Sequence, residues 1–166
     1  MQAVYRKIME SQLMTEMQWQ QFFDTRLKKH LVGTHKQDTD TIKWPEVFAL
    51  MRTLGVHHAM TIMKTISGSW CTTHRFKESS LTSCLFGCKY KDSIGHYMYC
   101  PTLWGLLYTV TDILAVGHPL ARLGLSPPDI AQMCLVQAAF SAYHDMKLDR
   151  FEEATTATTT TNVAHQ

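Results

Sequence analysis

The chain has 166 residues, of which 45% are hydrophobic, and a formal net charge of +2. That length accommodates one domain with a real core, or a small core plus a stapled module, and such mild basicity permits contact with nucleic acid without demanding it. The absence of a run of about 18 apolar residues argues against a membrane span, and Glu10, Glu16 and Asp24 argue against a transit peptide.

Residues 2–30 are predicted helical. Apolar residues such as Val4, Ile8, Leu13, Met17, Phe23 and Leu27 recur at three to five positions. Arg26, Lys28, Lys29 and His30 close the segment with the charge sign that suits a helix C-terminus. The polar run VGTHKQDTDT then reads as a loop. Trp44-Pro45-Glu46 opens the next helix, with proline at the first helical position. Residues 45–67 form one kinked helix or a tight pair, stopping at Ser67-Gly68. Residues 68–92 are irregular and poor in apolar groups, so a cross-link would help them hold a shape.

Asp92 or Ser93 caps a short turn bearing His96 and Cys100. A helix follows from Pro101 and ends before Gly117. Ser126-Pro127-Pro128-Asp129 reads as another helix start, with Ser126 as the cap. That helix runs to about Lys147, with Ile130, Met133, Cys134, Val136, Phe140 and Tyr143 near one broad side. The threonine-rich end has nothing to bury and reads as a disordered tail. No internal repeat and no convincing strand pair are visible. The expected class is all-α, organised as an N-terminal helix and polar loop (1–44), a helical domain (45–150) and the tail (151–166).

Three of the five cysteines lie within residues 84–100, spaced C-x3-C-x7-H-x3-C as Cys84, Cys88, His96 and Cys100. An odd cysteine count without a signal peptide points to a reducing, intracellular compartment, nucleus or cytoplasm, rather than to a disulfide scaffold. In that setting the four residues read as zinc ligands. Cys84 and Cys88 form a turn pair around Gly87. His96 and Cys100, four apart, share a face if that turn is helical. Four protein ligands close a tetrahedral sphere and leave no position for water, so the ion is structural and the irregular insert is zinc-stapled.

Cys71 and His74 form a nearby C-x2-H pair with no obvious further partners. Packing is the default for Cys71 and solvation for His74. Cys134 is flanked by apolar residues and is expected in the core. His57 and His58 are adjacent and point to different helix faces, which makes a poor chelate.

Trp70-Cys71-Thr72-Thr73-His74-Arg75, then CLFGC, then Asp92, His96-Tyr97, Cys100-Pro101 and Trp104, together resemble the zinc-binding segment at the C-terminal end of non-LTR retrotransposon reverse transcriptases. The motif spans 70–104, and the general character of the segment spans about 45–145. The resemblance implies the same four zinc ligands and a module that helps a polymerase grip its template. Trp70 and Arg75 are the matching lead-in positions, Trp70 for packing and Arg75 for packing or a phosphate or carbonyl contact. The chain has no Asp-Asp pair and no room for palm and fingers, so polymerase activity is not carried over. An initial methionine fits a short independent frame.

The expected function is therefore a non-catalytic zinc module that binds RNA or single-stranded DNA. Arg75, Lys77, Lys89 and Lys91 are the candidate phosphate contacts, with Phe76, Tyr90 and Tyr97 as stacking groups. The alternative is a zinc-stapled interaction subunit of a larger assembly such as a ribonucleoprotein, using its Met-rich helices as an adaptable partner surface. No nucleophile is accompanied by an orienting group and an oxyanion motif, so no enzyme is expected.

Overall fold

The computed structural model describes residues 15–77 and 82–163, with only the backbone described for 16, 151 and 153–163. Residues 2–14 of the first expected helix and the last three residues of the chain lie outside it.

The described chain is helical, with two isolated bridges, Ser83 with Lys91 and Leu125 with Pro128, and no strand. Helix α1 spans Glu16–His30 and starts on a capping box. Thr15 Oγ1 accepts from the Gln18 amide at 3.3 Å, and the Gln18 side chain accepts from the Thr15 amide at 2.7 Å. The polar run that follows is a 3₁₀ helix, Gly33–Thr41, rather than a loop. Its short side chains bond back to preceding carbonyls, Thr39 to Lys36 and Thr41 to Asp38, which suits the tight three-residue turn.

The 45–67 segment is a pair, α2 (Trp44–Thr53) and α3 (Val56–Ile66), separated by Leu54 and Gly55 in extended backbone. A single turn, α4 (Thr73–Phe76), is capped by the Thr72 hydroxyl. α5 (Ile94–Tyr97) is capped by Ser93, whose Oγ accepts from the His96 amide at 3.2 Å. α6 (Pro101–Thr109) ends about two turns sooner than expected. The consecutive threonine, valine and threonine at 109–111 are weak helix formers, and Thr111 bonds back to the Leu107 carbonyl.

A further turn, α7 (Pro119–Arg122), precedes the long α8 (Ile130–Val163). The cap of α8 is Asp129, not Ser126. Asp129 Oδ1 accepts from the amides of Ala131 and Gln132 at 2.8 and 3.2 Å. Pro128 disfavours helical backbone at Pro127, so the helix cannot start where Ser126 would cap it. Beyond Lys147 the helical backbone continues through the threonine-rich segment; extending an existing helix is far easier than starting one.

One buried cluster holds these elements together, running from Phe23, Leu27 and Leu31 through Trp44, Ile62, Trp70 and Tyr97 to Met133, Val136 and Tyr143. α3 packs along α8, and α1 contacts both α3 and α5. Phe23 stacks on Trp44 at 5.7 Å, and the Trp44 indole donates to Asp24 at 2.9 Å. Residues 16–44 thus share the core of the helical domain. Cys134, expected in the core, is exposed. It lies on the outward face of α8, while its neighbours Met133 and Leu135 turn inward.

Candidate metal centre

Cys84, Cys88, His96 and Cys100 converge, with one ligand atom of each within 4.8 Å of the others. The first pair sits on a knuckle. The Cys84 amide donates to the Tyr90 carbonyl at 2.8 Å, and the Gly87 amide returns to the Cys84 carbonyl at 3.2 Å. Gly87 takes φ of +85°, a region open to glycine and costly for other residues, and so turns the chain between the two thiols.

The second pair is not carried on one helix. α5 stops at Tyr97, and Cys100 lies beyond it with φ −56° and ψ 110°. Pro101 disfavours helical backbone at the preceding residue, which forces the break. Cys100 then becomes the cap of α6, its Sγ accepting from the Leu103 amide at 3.4 Å. This thiol faces the cluster because one helix ends before it and another begins after it.

The sulfur spacing fits an ion rather than a disulfide. Cys84 Sγ and Cys88 Sγ lie 3.7 and 3.5 Å from Cys100 Sγ, and all three cysteines are free. A tetrahedral zinc with Zn–S near 2.3 Å requires sulfurs about 3.8 Å apart. His96 Nε2 is buried without a hydrogen-bond partner, a vacancy in the bonding pattern that a cation would fill. Burial lowers the His96 pKa, against the opposing charge of Asp92, and so favours the neutral ring that ligates metals. Burial pushes the Cys100 thiol up to about 12, while the Thr102 hydroxyl, 3.1 Å from Cys88 Sγ, draws that thiol below its ordinary range. Tyr90 stacks on the His96 ring at 5.1 Å and 22° and limits its rotation.

Behind the four residues stands Asp92, wholly buried. Its carboxylate accepts from the Thr73 amide at 2.8 Å, from Tyr97 Oη at 2.7 Å and from Tyr143 Oη at 3.2 Å. Lys147 Nζ lies 3.6 Å away. Tyr97 Oη also accepts from the Leu85 amide at 3.3 Å, so the knuckle, α4, α5 and α8 meet at one carboxyl. The sequence marks Asp92 as part of a pattern and as a candidate cap, a role Ser93 takes instead, because its partners Tyr143 and Lys147 are more than fifty residues away. Trp70 packs, as its lead-in position implies. It is buried, stacks on Tyr97 at 5.6 Å, and donates to Thr65 Oγ1 at 2.9 Å. The Arg75 guanidinium donates to the Ser69 carbonyl at 2.6 Å.

Cys71 and His74 stay outside the cluster: Cys71 is half-buried and His74 exposed. The candidate phosphate contacts divide between two neighbouring depressions. Lys89 and Lys91 line a groove of about 910 Å³ with Tyr90, His96, Tyr99 and His35. Arg75 and Lys91 line a cleft of about 460 Å³ with Arg26, Lys29, His30 and His74. Lys91, Ser93 and Gly95 belong to both, so the two adjoin. Lys77 lines neither and lies at the left-handed end of α4.

Of the stacking candidates, Tyr90 and Phe76 are exposed, but Tyr97 is buried and cannot reach a base. Its ring fills the core between Trp70 and Tyr143 while its hydroxyl serves Asp92. The sequence reading missed Arg26, Lys29 and His30 as cleft residues. The RLKKH ending of α1 carried the signal, read there only as complementing the helix dipole. No family model, curated protein or solved structure matches this chain.

Proposed function

We propose that Cys84, Cys88, His96 and Cys100 hold a structural zinc ion, and that the stapled surface beside it binds single-stranded RNA or DNA without catalysis. The ion, when bound, supplies a cross-link between the knuckle and the α5–α6 junction. Four protein ligands leave it no open position. The observation that carries the binding reading is the pair of adjoining depressions. One carries Arg26, Lys29, Arg75 and Lys91 with no acid among the described residues of its lining. The other carries Tyr90, Tyr99 and Lys89. Cations track a phosphate backbone, and exposed aromatic rings accept unpaired bases. This is the chemistry implied by the resemblance to a reverse-transcriptase tail.

The test is the affinity of the zinc-loaded protein for a short oligonucleotide across a salt series. Neutralising three to five phosphates gives a log–log slope of about −2 to −3.5 for a single strand. No binding at low salt, or a flat series, refutes the reading. A second reading, a stapled subunit of a larger assembly, rests on exposed apolar side chains. Leu106 on α6 and Val110 at its C-terminal cap lie four apart, with Leu114 beyond them, and Met17 and Met60 are exposed on α1 and α3. A stoichiometric protein partner on co-purification favours it; a fully soluble monomer counts against it.

A further inference from the structure

A second group of ligand-type atoms shares no residue with the cysteine cluster. His35 Nδ1 lies 3.1 Å from Asp38 Oδ2, His118 Nε2 lies 3.0 Å from the same oxygen, and the two nitrogens are 3.2 Å apart. Two of the three come from the 3₁₀ helix, where residues three apart eclipse one another. The third comes from the first residue before α7, which packs against that helix. Thr41 Oγ1 and Ser126 Oγ, 2.9 Å apart, tie the same two segments together.

Protons do not satisfy this triangle. If both rings donate to Asp38, two N–H groups crowd onto one oxygen with their nitrogens 3.2 Å apart. If one ring donates to the other instead, a bare nitrogen lone pair faces the carboxylate. Either way one edge is repulsive. A single cation satisfies all three. Edges of this length place an ion just above the plane at about 2.0 Å from each atom, the distance that zinc takes to imidazole nitrogen and carboxylate oxygen.

We propose that His35, Asp38 and His118 form a second metal site, open to solvent, for a borderline first-row divalent cation such as zinc, cobalt(II) or nickel(II). Two imidazoles and a carboxylate suit such ions and leave the remaining positions to water. The side chains are between 34% and 39% exposed, so water reaches the ion, and His35 also lines the large groove. Ligation through His118 Nε2 moves that ring's proton to Nδ1. The 3.3 Å hydrogen bond that Nδ1 accepts from the Leu120 amide is then lost. The site therefore binds more weakly than the cysteine cluster, and it fills second.

The experiment is a cobalt(II) titration of the zinc-loaded protein, followed by equilibrium dialysis and visible absorption. Expected is one further equivalent of metal, with weak visible bands and none of the intense charge transfer of thiolate ligation. His35→Gln and His118→Asn each remove that equivalent, with an affinity loss above the roughly 10–100-fold that an outer-shell partner is worth. Asparagine also caps helices well, so His118→Asn keeps the start of α7, and unchanged helical circular dichroism verifies the fold. Asp38→Asn, nearly isosteric, gives the same loss. A wild type that binds no second equivalent overturns the proposal, as does a second equivalent that survives all three substitutions.

Discussion

Tyr97 donates a 2.7 Å hydrogen bond to the buried carboxylate of Asp92, and the same hydroxyl accepts from the Leu85 amide inside the cysteine knuckle. One phenol therefore joins the knuckle to the carboxyl that α8 grips through Tyr143. Burial pushes the tyrosine pKa upward, so the hydroxyl keeps its proton and remains a donor. Tyr97→Phe removes a donor from a buried carboxylate and an acceptor from a buried amide. It should cost about 1–3 kcal/mol, read as a lower urea midpoint of the zinc-loaded protein. An unchanged midpoint would show that the hub does not hold the knuckle.

Metal content and folding should change together at the cysteine cluster. Purified wild type should carry one tightly bound zinc, and Cys88→Ser should lose it along with much of the order of residues 82–100. Coupled binding and folding is expected for a site that exists only in the folded chain. Cys134→Ser, at an exposed cysteine near the start of α8 and outside the cluster, is the matched control and should retain the ion. Elemental analysis and circular dichroism read both outcomes. A metal-free Cys88→Ser protein with wild-type stability would remove the staple from the account.

The two adjoining depressions, rather than the basic residues outside them, should carry nucleic-acid binding. Lys91 borders both, so Lys91→Ala should weaken binding and make the salt slope shallower by about 0.7, one phosphate's share for a single strand. Lys29→Ala should do the same through the cleft. Lys77→Ala, outside both, should leave the slope alone. Equal effects from all three would mean diffuse attraction rather than a path across the surface.

Stability should fall on mild acidification through His30. Its ring is desolvated by burial and faces the positive charges of Arg26, Lys29 and His74, which together lower its pKa. Arg75 and Lys91 line the same cleft. The unfolded chain therefore takes up a proton at this residue before the folded chain does. The full stability is present above the unfolded value of about 6.5 and is lost as the pH drops from there toward the folded pKa. Thermal melts between neutral and mildly acidic pH should show the decline, and His30→Gln should flatten it. An identical decline in the variant would assign the effect elsewhere.

The helical class, the starts of α2, α5 and α6 and the meeting of the four metal-type residues were legible along the chain. These depend on neighbours within a few turns: a proline at a first helical position, a glycine between two cysteines, an apolar spacing. The sequence was also enough to make Trp70 a packing residue. Where one local signal competed with another, the sequence reading went astray. Pro101 broke the helix expected to carry both His96 and Cys100, and Pro128 shifted a cap from Ser126 to Asp129. Tertiary structure alone decided the rest. Docking α1 against α5 set Arg26 and Lys29 in one cleft with Arg75 and Lys91. Folding α8 across the domain delivered Tyr143 to Asp92 and turned Cys134 outward. It also drew Tyr97 into the core, where its hydroxyl found a buried carboxyl and its ring lost access to any base. No spacing along the chain encodes these meetings, because each joins residues whose separation is closed only by burying one common apolar core.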